Sequence, residues 1–115
     1  MSEALQKSIA LVNNSIQAKL LDKVIAQLQK DLERAGVVCS NELLERATLI
    51  TELRQILTRL VEDHTDVLYT FLYVVDVSEF SIRQITNQQA VLEVDHLLYL
   101  ILKREYQKVQ YRENL

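Results

Sequence analysis

The chain has 115 residues, 49% hydrophobic and 25% charged, with one glycine, one cysteine and no proline. That is the length of a single domain and the composition of a globular chain, and the near absence of Gly and Pro argues against sandwiches and barrels, which need many tight turns. A formal net charge of −3 and a pI near 5.4 give no sign of nucleic-acid binding, and a lone Cys39 excludes an internal disulfide.

Two apolar stripes run through residues 1–35. Leu5, Ile9, Val12 and Ile16 form the first; Leu21, Val24, Ile25, Leu28, Leu32 and Ala35 form the second. At about 100° per residue the stripes are rotated by roughly 130° from each other, too far for one straight helix. Asn13-Asn14-Ser15 lies at the change, and Asn14 with Gln17 has capping-box spacing. The pattern predicts a helix over 3–12 and another over 15–35, with Gly36 just past its end as the C′ residue.

Ser40 then fits an N-cap, with Glu42 in the first turn and Cys39 and Leu44 at staple positions. Cys39 reads as a small hydrophobe rather than a reactive thiol. The clearest amphipathic helix follows, over 41–62. Leu43, Ala47, Ile50, Leu53, Leu57, Leu60 and Val61 share its apolar face. The run Val67 to Val75 suits either a buried strand or a buried helix. No other segment reads as a strand to pair with it, so a helix over 66–76 is predicted. Ser78 fits an N-cap, and Val77 with Ile82 fits a hydrophobic staple, opening a short helix over 79–86. Asn87 is read as the cap of the last helix, over 88–112. The expected fold is all-α: a single-domain, compact bundle of five or six helices, made of two helical hairpins and short connecting helices.

The segment Leu68 to Glu79, ending Asp76-Val77-Ser78-Glu79, resembles an "LYRIDVSE"-type junction. Leu97 to Asn114, with Leu102-Lys103-Arg104-Glu105-Tyr106-Gln107-Lys108, resembles an "ERQLQKIKTRE"-type ending. Both belong to a family of short, uncharacterised, helical bacterial proteins, and the resemblance covers residues 60–114. Val74 stands where that family often has arginine, and Tyr106 where it often has leucine. The resemblance implies helices on both sides of the junction and no particular activity.

Chemistry-bearing motifs are sparse. One glycine cannot build a phosphate loop, and no CxxC, HExxH or GxSxG occurs. His64 and His96 stand in no motif that supplies an orienting partner for a nucleophile, so no enzyme and no cofactor are expected. Glu93 and His96 share a helix face at the i, i+3 spacing of di-iron bundles, but the second such motif is missing. Glu62, Asp63, His64 and Asp66 could add ligands only if their loop folded onto the last helix. Lys103, Arg104, Lys108 and Arg112, beside Tyr99, Tyr106 and Tyr111, form a basic strip. A single-stranded nucleic acid could use such a strip, but Glu105 and Glu113 dilute it, and a solvated helix face is the preferred reading.

The first residues lack a signal-peptide pattern, and no apolar run approaches the ~18 residues of a membrane span, so a cytoplasmic protein without membrane partners is expected. A domain this small buries a modest core, which leaves apolar surface for another chain. On the last helix Val91, Leu98, Leu102 and Val109 point toward the expected core, while Leu97, Leu100 and Tyr111 fall among the polar residues opposite. These three are the candidate interface of a self-associating interaction module. The competing reading is that the N-terminal helix covers the two leucines. The alternative function is metal or ligand binding in the Glu93/His96 region.

Overall fold

The computed structural model describes residues 2–37, 46–88 and 93–114, with 86–88 described in backbone only. Six helices and no strand occur among them: α1 (Glu3–Gln17), α2 (Leu21–Arg34), α3 (Leu49–Asp63), α4 (Thr65–Val75), α5 (Glu79–Gln88) and α6 (Val94–Glu113). The bundle is all-α, as expected, and residues 67–75 are helical. The radius of gyration is 13.4 Å, close to the about 13 Å of a compact domain of this length.

Ser2 opens α1: its Oγ accepts from the Leu5 N–H at 3.0 Å. No break follows at Asn13-Asn14-Ser15, contrary to the sequence reading. Ser15 instead turns its buried hydroxyl onto the Leu11 carbonyl at 3.0 Å, and Ser8 does the same with Ala4 at 3.1 Å. The break between the two stripes lies at Ala18-Lys19-Leu20. Lys19 adopts the left-handed conformation at φ 60°, the Leu20 N–H reaches Ser15 O, and the Lys19 N–H reaches Ile16 O. This is a Schellman cap with lysine at C′.

The same cap closes two more helices. Gly36 (φ 85°) follows α2, with Val37 N–H on Leu32 O, and Asp76 (φ 74°) follows α4, with Val77 N–H on Leu72 O. Leu20, Val37 and Val77, the residue after each left-handed position, all pack partly buried against the core. Ser78 then caps α5 by accepting from the Ser81 N–H at 3.1 Å, as the sequence suggests. Val77 and Ile82 both lie against the core.

Helix α3 begins at Leu49 and not near 41. Residues 46–48 form a turn that ends on Thr48 at the N-cap, where the threonine side chain makes no capping bond. Ala47 is accordingly exposed, off the predicted apolar face. The predicted Ser40 cap and the Cys39/Leu44 staple lie outside the described residues. The last helix starts at Val94, with Glu93 extended at its N-cap; Asn87 belongs to α5 rather than capping α6.

Helix α6 runs through the centre and packs against α1, α2, α3, α4 and α5, most extensively α1. Leu97, Leu98, Ile101 and Leu102 of α6 meet Leu28, Leu53, Phe71 and their neighbours in one fully buried cluster. Asp95 pins the start of α6 from two sides, accepting from Ser2 Oγ at 2.7 Å and from Arg54 Nε at 2.9 Å.

Candidate functional site

The three residues proposed from sequence as an interface separate. Leu97 is 0% exposed and belongs to the protein's own core, which corrects its assignment to a surface patch. The reason is the central position of α6. Its buried residues run from Leu97 to Leu102 around the helix, an arc of about 140°, and Leu97 lies at the edge of that arc. Leu100 is half-buried, in a cleft shared with Ala4 and Lys7 of α1 and Ile85 of α5. The N-terminal helix therefore provides the cover over this side of α6. Tyr111 alone of the three is exposed, at 69%.

Glu93 and His96 do meet: Glu93 Oε2 lies 2.9 Å from His96 Nδ1. The carboxylate orients the ring, and His96 lines the Leu100 cleft, of about 260 Å³, together with Lys7, Ser81, Gln84 and Tyr99. Lys7 and Lys103 stand over the Tyr99 ring, 5.8 and 5.9 Å from its centroid. Glu62, Asp63, His64 and Asp66 stay at the α3–α4 corner, and no group of three metal-ligating side chains forms among the described residues.

The basic strip is largely engaged within the molecule. Arg104 Nη2 donates to Asp76 Oδ2 at 2.8 Å and its Nε to the Asp76 carbonyl at 3.2 Å. Arg112 reaches Gln27, and Lys108 Nζ donates to Asp31 Oδ2 at 2.8 Å and to the Val75 carbonyl at 3.1 Å. A cation tied to a carboxylate in this way is not free for a phosphate.

Sequence reasoning missed the buried acids. Asp31 is 1% exposed and Glu105 0%, and they face each other between α2 and α6 with Lys108 beside both. Lys108 Nζ lies 2.7 Å from Glu105 Oε1, yet neither Glu105 oxygen accepts a well-directed hydrogen bond. Burial, and then the neighbouring Asp31 carboxylate, push Glu105 up to about 8, against an opposing pull from Lys108. The signal was present in the pattern. Asp31 falls beside Leu28 and Leu32, and Glu105 beside Ile101, Leu102 and Val109, at phases that are otherwise apolar.

Among the described residues, the large apolar side chains most exposed to solvent are aromatic. On α4, Leu68, Phe71, Leu72 and Val75 are buried, while Asp66, Tyr69, Thr70 and Tyr73 share the opposite face. Tyr73 is 85% exposed, and Phe80, at the start of α5, 71%. Comparison of the chain with known protein families, with curated proteins and with solved structures finds no match in any of the three.

Proposed function

We propose that this chain is a non-enzymatic protein-interaction module that self-associates through the outward face of α4. The observation that supports this reading is the two-sided character of α4, apolar inward and aromatic outward. Large aromatic side chains held in water mark contact surfaces, because they bring much area to an interface at little conformational cost. A second copy suits the face by symmetry. Antiparallel pairing of two α4 helices would set Tyr69 against Tyr73 and Asp66 toward the Asp76–Arg104 end of the partner helix. Of the interface first read from the sequence, Tyr111 remains available as a contributor and Leu97 does not. Residues 60–114 resemble short helical bacterial proteins, and this together with the lone cysteine supports a bacterial cytoplasmic setting. No helix of the described residues is long and apolar enough to cross a membrane. Light scattering across a concentration series tests the proposal: a mass of twice 13.4 kDa is expected at high concentration, and 13.4 kDa throughout would refute it.

A second reading, ligand binding beside Glu93 and His96, draws support from the cleft that His96 lines. A small molecule suits it better than a metal, since the ring and one carboxylate supply too few ligands for a closed site. Chelator is therefore expected to leave the melting temperature unchanged. A loss of stability reversed by one divalent metal would restore the metal reading.

A further inference from the structure

The C-terminal half of α6 is held on α2 by side chains in antiparallel register. Lys23, Gln27 and Asp31 recur every four residues along α2, and they meet Glu113, Arg112 and Lys108 in turn. Gln27 Nε2 also donates to Asp31 Oδ1 at 2.9 Å, which joins the two inner rungs of the ladder. Its outer rungs are exposed to water; its inner end is sealed, and there two carboxyl groups share one ammonium.

We propose that Asp31, Glu105 and Lys108 form a proton-operated clasp: with Glu105 protonated the end of α6 lies closed on α2, and loss of that proton favours opening.

Two carboxylates beside a single lysine, out of water, leave one negative charge uncompensated. The ionisable groups acting on Glu105 are Asp31 from α2 and Lys108 from its own helix. From α4 the Val75 carbonyl faces Lys108, while Asp76 at its end is occupied by Arg104. Neither α1 nor α3 brings an ionisable group to bear on Glu105. Glu105 holds its proton up to about pH 8 in the closed clasp, whereas an opened, hydrated Glu105 returns to its ordinary value of 4.5. The closed form thus binds the extra proton between those limits. Its contribution to closure is complete below pH 4.5, declines as pH rises, and is gone above about pH 8. Opening becomes about tenfold more frequent per pH unit within that window. It also bares Val109, which is otherwise buried.

Hydrogen-exchange mass spectrometry of the full chain at pH 6 and pH 7.5, corrected for the intrinsic exchange rate, tests this. Opening of residues 105–113 should rise more than about tenfold between the two pH values while α3 stays constant. Glu105→Gln, which cannot ionise, should abolish the rise, and Asp31→Asn should reduce it. An equal rise in wild type and Glu105→Gln, or no rise in wild type, would overturn the proposal. Should Glu105→Gln fail to fold, the carboxyl carbon resonance of Glu105 in the wild-type protein decides instead. A titration step between pH 6 and 9 supports the clasp, and its absence there refutes it.

Discussion

Lys103 and Lys108 lie five residues apart on one helix, about 140° apart around it. Lys103 is exposed over the Tyr99 ring, whereas Lys108 is mostly buried and touches Asp31, Glu105 and the Val75 carbonyl. Removing Lys108 leaves Asp31 buried without its cation, the kind of change that costs about 3 kcal/mol or more. Removing Lys103 should cost no more than about 0.5 kcal/mol, as for most surface positions. Urea unfolding of Lys108→Met and Lys103→Met at pH 6 is expected to show that contrast, and equal losses would mean that the buried cluster has no special weight in stability. The strip was legible as charge alone. Which of its cations face acids depends on where α2 and α4 come to rest, and residue order does not carry that.

The helices themselves were legible because each apolar stripe keeps its phase for three turns or more, as Leu49, Leu53, Leu57 and Leu60 do in α3. The ends were less so. The change of stripe between α1 and α2 is real, but Asn13-Asn14-Ser15 offered polar side chains that looked like a cap, and Ser15 spends its hydroxyl inside the helix. The true stop depends on backbone that lysine adopts at Lys19 and aspartate at Asp76, and neither residue announces a left-handed turn as Gly36 does. The apolar residue following each stop is the only local trace of the motif. A side chain at such a position carries a conformational penalty that glycine avoids. Lys19→Gly should therefore raise stability by up to about 1 kcal/mol in urea unfolding, the reverse of the usual effect of glycine. Asp76→Gly should not gain, because it loses the carboxylate that accepts from Arg104 Nη2. A destabilised Lys19→Gly would show that the lysine is held there by more than its backbone.

At the scale of the whole molecule, the decisive feature is that α6 packs against each of the other five helices. The sequence does not show this, since the apolar positions of α6 read equally as a core stripe plus a surface patch. Leu97 was placed on the wrong side of that division, and α1 accounts for the difference by covering the flank that holds Leu97 and Leu100. Leu97→Glu is thus expected to unfold the chain as fully as Leu98→Glu, by burying an unpaired charge, and circular dichroism would register both.

We propose the aromatic face of α4 as the contact surface between copies. Sedimentation equilibrium on wild type, Tyr73→Lys and Tyr111→Lys, with circular dichroism to confirm that each stays folded, tests this most directly. A folded monomer is expected from Tyr73→Lys against a wild-type dimer, with Tyr111→Lys weakening the dimer less. A wild-type protein that remains monomeric at high concentration, or a dimer that Tyr73→Lys leaves intact, would contradict the assignment of α4 as the self-association face.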